Sequence, residues 1–308
     1  MSVVVAGYSG LVGSAIFELL NSRGESVLGI NSSVVNLLDR DRTFEFMRDV
    51  KPSVVIDAAA IVGGIGANNS YPVDFLSKNL QIQANLMDAA HVANVERFVF
   101  LGSSCIYPRE CPQPIKEEYL MTGPLEETNS AYAIAKIAGI EMVKSYRKQF
   151  KRRWISLMPT NMYGPRDNFS LSNGHVLPSL INRFVSATES GAQDVVLWGT
   201  GNPKREFLHS RDLAEATLFM LEKYDGDSHV NVGTGEDLSI KELATLIARE
   251  ANFKGEIKWD RDKPDGTPRK LLDVSRIKAL GWTPAVSLEE GVRETIDWFR
   301  TNESKVRA

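Results

Sequence analysis

The sequence predicts an α/β fold in which a doubly wound parallel sheet is joined to a smaller α/β unit, and three observations carry that expectation. Short β-rich apolar runs alternate with longer helical patterns over the first half of the chain. Those runs lack polar alternation, as strands covered on both faces do. A Gly-rich turn, Gly7-Tyr8-Ser9-Gly10-Leu11-Val12-Gly13, follows the first run directly and opens the first helical pattern.

In chain order, strands are expected at 3–6, 26–30, 54–58, 98–102 and 154–158, with helices near 11–22, 41–49, 74–93 and 130–149. Strands and helices in strict alternation imply parallel strands linked by crossover helices, a Rossmann-like sheet wound in both directions. After Pro159 the texture changes. Residues 164–206 are rich in Gly, Pro, Asn and Ser, with one helical patch near 176–190. A β-like run at 229–232 precedes Gly233-Thr234-Gly235 and a helix near 239–251, and 259–270 is polar and turn-rich. Long polar loops of that kind usually bind something or are disordered. The expected division is a dinucleotide-binding domain at 1–165 with about 207–235, and a smaller α/β substrate domain at about 166–206 and 236–308.

The 308 residues are 43% hydrophobic and 24% charged, an ordinary globular balance with length enough for two domains. A formal charge of -3 gives no electrostatic reason to expect nucleic acid or an anionic membrane as partner. No apolar stretch approaches the roughly 20 residues that span a bilayer. The N-terminus lacks the basic and apolar regions of a secretory signal. Two cysteines, Cys105 and Cys111, are too few for a disulfide framework and lack metal-ligand spacing. A cytoplasmic protein with free thiols is the expectation.

Glycines at 7, 10 and 13 allow a tight turn and let the backbone approach a pyrophosphate at a helix N-terminus, where unpaired N–H groups and the helix dipole favour negative charge. Cofactor choice is read at the end of the second strand, Ile30-Asn31-Ser32-Ser33. An Asp or Glu there would hold the ribose 2′-OH of NAD(H), and an Arg would grip the 2′-phosphate of NADP(H). Neither is present. Amide and hydroxyl groups can donate to a phosphate, which tips the expectation to NADP(H) over NAD(H).

Tyr132-Ala133-Ile134-Ala135-Lys136 places a phenol and an ammonium four residues apart on one helix face. A phenol titrates near pH 10 and is a poor acid or base without help; a nearby ammonium is expected to lower it into a working range. Ser103, just past the fourth strand, is placed to hold a substrate oxygen beside the phenol. A Tyr and a Lys on a helix are by themselves an ordinary amphipathic face. Here they follow a dinucleotide loop and a strand ending in Gly-Ser-Ser, an order that fits carbonyl chemistry.

These residues resemble the extended short-chain dehydrogenases acting on nucleotide sugars. The carriers run almost end to end: Ala58-Ala59-Ala60 through Val62-Gly63-Gly64-Ile65 to Asn68-Asn69, Gly102-Ser103-Ser104-Cys105-Ile106-Tyr107-Pro108, and Tyr132-Ala133-Ile134-Ala135-Lys136. Met158-Pro159-Thr160-Asn161, Tyr163-Gly164-Pro165, Asp167-Asn168-Phe169, Arg205-Glu206-Phe207-Leu208-His209 and Lys263 to Lys270 complete them. The resemblance implies Ser103, Tyr132 and Lys136 as a reductase triad, and Cys105 and His175 as an acid–base pair for epimerisation. It implies cofactor contacts from Gly7, Tyr8, Ser9, Gly10, Leu11, Val12 and Gly13, from Ser32, Asn36 and Leu37, and from Leu101, Gly102, Ser103 and Ser104. Lys136, Pro159, Thr160, Asn161, Met162 and His175 complete that set. Arg183, Trp198, Arg205, Asp265 and Lys270 match positions that hold a GDP-sugar, and a homodimer formed through helices 74–93 and 130–149 is implied too. Sequence alone could equally bury those helices within one subunit.

The chain departs from the family at Ser9 and Ser32, where arginines commonly reach the 2′-phosphate, so a weakened NADPH preference is expected. Cys105 could also be a small buried hydrophobe, His175 a loop histidine and Trp198 a core residue. A nucleotide-sugar 4-epimerase or 4,6-dehydratase is the rival within the fold, but a dehydratase wants a carboxylate pair where Ser104-Cys105-Ile106 stands. A non-catalytic dinucleotide sensor would have no need of the Tyr/Lys pair.

Overall fold

The computed structural model describes residues 2–302 apart from Pro264, which falls within the Lys263–Lys270 motif and so lies outside the described residues. Six parallel strands form the main sheet: β1 (Ser2–Ala6), β2 (Ser26–Ile30), β3 (Val54–Asp57), β4 (Arg97–Leu101), β5 (Ile155–Pro159) and β10 (Val230–Val232). Their spatial order is β10-β5-β4-β3-β1-β2. The chain crosses outward from β1 to β2 and then returns past β1 to β3, so the order reverses between β1 and β3. A crevice opens outside the carboxyl ends of strands at such a reversal.

Burial follows from the residue pattern. β3, β4 and β5 are buried at every position, Asp57, Arg97 and Ser156 included, as strands covered on both faces are. The edge strand β2 is half-exposed, with only Ile30 fully covered. Helices α1 (Leu11–Ser22) and α7 (Ser210–Lys223) pack together, as do α2 (Arg40–Val50), α4 (Asn79–Val92) and α5 (Ser130–Phe150). A short helix α3 (Ile65–Ser70) and a π-helical turn, Asp74–Lys78, lead into α4. Asp39 caps α2 by accepting from the Arg42 N–H at 3.1 Å, a contact worth about 1 kcal/mol.

A second apolar cluster is built from α6 (Val176–Ser190), α8 (Ile240–Glu250) and α10 (Leu288–Asn302), where Phe169, Phe184, Leu243, Ile247, Val292 and Phe299 are buried together. Around it lie a parallel pair β7 (Asp194–Trp198) and β12 (Glu256–Asp260), and a parallel pair β6 (Asn161–Tyr163) and β9 (Phe207–His209). A three-stranded sheet has the order β11 (Leu238–Ser239), β8 (Lys204–Arg205), β13 (Arg269–Lys270). One segment differs from the sequence division, which assigned all of 236–308 to the smaller unit. Leu272, Val274, Ile277 and Trp282, around α9 (Ser275–Ala279), pack in the sheet's own core. The reason is backbone pairing: Ile115 N–H donates to Leu271 O at 2.7 Å and Asp273 N–H to Ile115 O at 2.8 Å, stitching this segment beneath the loop that follows β4.

Candidate active site

The Gly-rich turn leaves no room for side chains. Gly7 has φ +79°, and a Cβ there would lie 2.7 Å from Ala58 O. A Cβ on Gly13 would lie 2.1 Å from Gly7 O. Tyr8 packs on Gly29 of β2, whose own Cβ position falls 2.4 Å from the Tyr8 ring, so the loop is pinned to the sheet edge. Gly10 is the N-cap of α1 and has no side chain, and the first turn, starting at Leu11 and Val12, has no acidic residue. The positive end of the helix dipole is therefore unneutralised at the crevice, and the donor set fits a dinucleotide pyrophosphate.

At the end of β2, Asn31 Oδ1 accepts from Ser33 N (3.1 Å), Ser33 Oγ (2.7 Å) and Val34 N (3.3 Å), while Asn31 Nδ2 donates to Ser9 Oγ at 3.4 Å. Asn31 thus braces the turn. Ser32 and Asn36 are exposed, and Leu37 is buried with its carbonyl accepting from Asn85 Nδ2 at 2.8 Å. No basic side chain stands at position 9 or 32.

Ser103 follows β4 and Gly102, and its Oγ accepts from the Cys105 N–H at 3.2 Å. Lys136, buried on α5, donates to Leu101 O at 2.9 Å and stands 4.8 Å from the Phe100 ring centroid and 5.8 Å from that of Tyr132. Tyr132 packs edge-on against Phe75 of the π-helical turn, ring centroids 6.3 Å apart. The expectation that Lys136 lowers the phenol is not met here. Burial raises Tyr132 above the usual phenol range, and negative charge on Cys105 raises it further. Burial also pulls Lys136 below its ordinary value, opposed by the carboxylate of Asp57. The physical reason is that low-dielectric surroundings penalise both charged forms more than the pair repays.

Cys105 is reached from two directions. Asn129, the N-cap of α5, lies 3.5 Å from its sulfur through Nδ2, and Lys270 of β13 lies 3.7 Å away through Nζ. Lys270 pairs in register with Arg205 of β8, so the small sheet carries Lys270 to the thiol. His175 is the N-cap of α6 and is exposed. Its loop leans on the segment after β3: Gly64 N–H donates to Asn173 O at 2.9 Å, and a Cβ on Gly64 would lie 2.7 Å from Gly174 O. Gly63 in turn touches Phe75, the neighbour of Tyr132. The His175 loop, the β3 loop and the Tyr132 wall are thereby contiguous.

Trp198 is 68% exposed at the end of β7, a ring face open for stacking and not a core residue. Arg205 Nη1 donates to Thr267 O at 2.6 Å and to Lys204 O at 2.7 Å, and burial lowers its pKa. Asp265 uses both carboxylate oxygens on Thr200, accepting from its N–H at 2.9 Å and its Oγ1 at 2.6 Å, which clamps the loop after Trp198. Arg183 is half-buried on α6. Pro159, Thr160, Asn161 and Met162 line the end of β5 and the start of β6, with Asn161 Nδ2 donating to Glu206 O at 2.7 Å.

Glu206 and Asp57 are among the buried carboxyls outside the set that the sequence assigns. Glu206, fully buried, accepts from Gly235 N at 2.7 Å and Leu272 N at 3.0 Å, tying three loops around the crevice. Its signal was the acidic residue inside the otherwise apolar run after Arg205. Asp57 lies at the end of β3.

A family model described as "NAD dependent epimerase/dehydratase family" matches residues 3–233. The chain belongs to that family. Within it, the chain is 52% identical over 301 residues to GDP-L-fucose synthase 1 of Arabidopsis thaliana, covering 97% of this chain and 93% of that protein. It is 48% identical over 315 residues to GDP-L-fucose synthase of Escherichia coli (strain K12), covering 99% and 98%. A crystal structure of a GDP-L-fucose synthetase from Naegleria fowleri bound to NADP superposes with a TM-score of 0.93 at 29% identity, covering 100% of this chain and 95% of that one. In open α/β sheets of this kind, ligands bind in the crevice at such a reversal, here between β1 and β3.

Proposed function

We propose that the chain converts GDP-4-keto-6-deoxy-D-mannose to GDP-L-fucose, inverting C3 and C5 and then reducing the C4 ketone. The observation that carries this reading is the convergence on Cys105. A thiol of the loop after β4 lies at the N-cap of the helix bearing Tyr132 and Lys136, and within 3.7 Å of Lys270 from the small sheet. Full-length similarity to GDP-L-fucose synthases supports it.

The chemistry follows from the side chains. A C4 ketone acidifies the protons at C3 and C5, so one site that stabilises an enolate serves both inversions. Cys105 and His175 act as the acid–base pair, a thiol and an imidazole, the imidazole held below its ordinary value by desolvation and so neutral and able to take up a proton. Ser103 and Tyr132 hold the C4 oxygen while its charge develops, and Tyr132 then protonates the alkoxide. A bound nicotinamide dinucleotide supplies the hydride. The residues that would hold it are the 7–13 turn, Ser32, Asn36 and Leu37, Leu101 to Ser104, Lys136 and His175, and Pro159 to Met162. NADP(H) is favoured over NAD(H), with a preference weakened by Ser9 and Ser32. Arg183 and Arg205 are suited to phosphate, Trp198 to stacking and Lys270 to the sugar nucleotide, with Asp265 shaping the loop beside them.

In this reading residues 1–165, 207–235 and the 271–282 segment carry the dinucleotide, and the remainder carries the sugar nucleotide. Helices α4 and α5 pack on each other within the chain and leave Val92 and Phe150 exposed, which supports a homodimer through the same face. A mass near 34.2 kDa in light scattering would reject it. No described helix is long and apolar enough to cross a membrane, in keeping with work in the cytoplasm. The deciding experiment is product analysis after incubation with the 4-keto sugar nucleotide and NADPH. A C4-reduced but unepimerised sugar would discard the epimerase half, and no cofactor oxidation would discard the reductase half.

A further inference from the structure

Asp57 has no role in the chemistry above, yet its carboxyl is only 1% exposed at the carboxyl end of β3. A charged group there is costly unless something answers it. Its Oδ1 accepts from the Ala59 N–H at 3.1 Å, and its Oδ2 is buried with no hydrogen-bond partner. Strand register fixes where the side chain points. Asp57 pairs in parallel with Phe100 of β4, and residues paired across adjacent strands project to the same face. That face is the one covered by α5: a Cβ on Gly139 would lie 2.2 Å from the Phe100 ring, and Lys136 Nζ stands 4.8 Å from the ring centroid. Lys136 is anchored to the carbonyl of Leu101, the residue after Phe100. The carboxylate, the ring and the ammonium therefore share one corner, where β1, β3 and β4 end.

We propose that Asp57 is a positioning residue for the proton relay, a buried counter-charge that keeps Lys136 in its ammonium form on the Leu101 carbonyl beside Tyr132. The proposal rests on the reading of Tyr132 and Lys136 given above. Each member of the pair feels the other: burial raises Asp57 to about 6 while Lys136 opposes the rise, and burial lowers Lys136 while Asp57 opposes the fall. The other ionisable side chains facing this corner are Tyr132, one turn before Lys136 on α5, and Cys105, on the loop after β4. From α4 comes the uncharged Gln83, donating to Ala135 O at 2.7 Å, and β1 contributes Ala6, the other register partner of Asp57. Without the carboxylate, Lys136 sheds its proton at lower pH. Tyr132 then loses the cation that favours its anionic form.

The test is the pH profile of kcat and KM for C4 reduction in the wild type, Asp57→Asn and Asp57→Leu. Asn keeps the acceptor for the Ala59 N–H, and Leu fills the position with no polar atom, so a folding defect in one leaves the other to report. In both, the alkaline limb of kcat is expected to fall by about one pH unit or more, with roughly tenfold lower kcat above it, one unit being a factor of ten. KM for the sugar nucleotide should hardly move. A purely structural Asp57 would lower the melting temperature and leave the limb in place, and that result overturns the proposal. Lys136→Met, run alongside, separates the two failures. If it keeps full reductase activity, the reading of Lys136 itself falls; if it is inactive while both Asp57 variants keep the wild-type limb, only the Asp57 proposal falls.

Discussion

Cofactor choice turns on two serines, and arginines placed there should change it by a calculable amount. Ser9 is half-buried in the Gly-rich turn and Ser32 is exposed at the end of β2, while the side chain of Asn31 between them is committed to Ser9, Ser33 and Val34. A charge-assisted hydrogen bond from Arg to phosphate is worth about 1.5–3 kcal/mol. Solvent screening at exposed Ser32 trims that to about 1 kcal/mol, whereas an Arg at position 9 keeps about 2 kcal/mol. The sum of about 3 kcal/mol corresponds to roughly a hundredfold, since each 1.4 kcal/mol is a factor of ten. The assay is kcat/KM for NADPH and for NADH with one 4-keto sugar nucleotide, in the wild type and in Ser9→Arg/Ser32→Arg. The double variant should raise the NADPH/NADH ratio by about that factor, and the gain should shrink with added salt. A wild-type preference for NADPH of thousands-fold, or a double variant with an unchanged ratio, would refute the reasoning.

Four further outcomes are expected. Cys105→Ser should leave cofactor oxidation measurable while slowing proton exchange at C3 and C5 by about 10²–10⁴, the usual worth of a positioned acid or base, as solvent deuterium incorporation reads out. Tyr132→Phe should slow C4 reduction by a similar ~10²–10⁴ while the melting temperature holds, because Phe keeps the packing on Phe75. Gly13→Ala should weaken cofactor binding in a fluorescence titration and destabilise by about 1–3 kcal/mol, because the added Cβ would meet Gly7 O at 2.1 Å. Acid should unfold the protein through two buried histidines. Burial first, then Arg211 for His209 and Lys144 for His229, lower both to about 4, against about 6.5 unfolded. Their stability contribution is full above pH ~6.5 and is lost as pH falls toward 4, about 3 kcal/mol for each at the acid end. Urea midpoints measured from pH 7.5 to 4.5 should fall less steeply in His229→Gln; parallel curves would remove His229 from the account.

Much of the dinucleotide half was legible because its signals are local. A strand buried on both faces is mostly apolar, and 54–57, 97–101 and 155–159 are written that way apart from Asp57, Arg97 and Ser156. The Gly7–Gly13 spacing is likewise dictated by contacts within one turn. The smaller half was harder for a physical reason. β7 alternates exposed and buried residues and pairs with β12, more than fifty residues onward, so neither strand is specified by its own segment. The apolar stripe of α10, Val292, Ile296 and Phe299, is helical in period, but that it closes on α6 and α8 is a tertiary fact. The bonds from Thr200 to Asp265 join loops far apart in the chain, which no local pattern announces. Glu206 and Asp57 each stand as an acidic residue beside apolar ones, but what gives each its meaning, Gly235 and Leu272 for one and Lys136 for the other, is distant in sequence.

The spacing of Tyr132 and Lys136 predicts the sign of one effect on the phenol, and burial supplies its rival. An ammonium four residues away does favour a phenolate, but only against water as the reference surroundings. At the end of a sheet buried on both faces, the same burial that shields the reacting oxygen also disfavours the phenolate and the ammonium together, which is why Tyr132 sits high and Lys136 low. A relay in such a place has to retain its cation by a further charge, and Asp57 is the carboxylate that register sets on that face. The low dielectric that makes the pair hard to charge also magnifies each remaining interaction, so one carboxylate out of contact with substrate can shift the working pH of a phenol one helical turn beyond the lysine it supports.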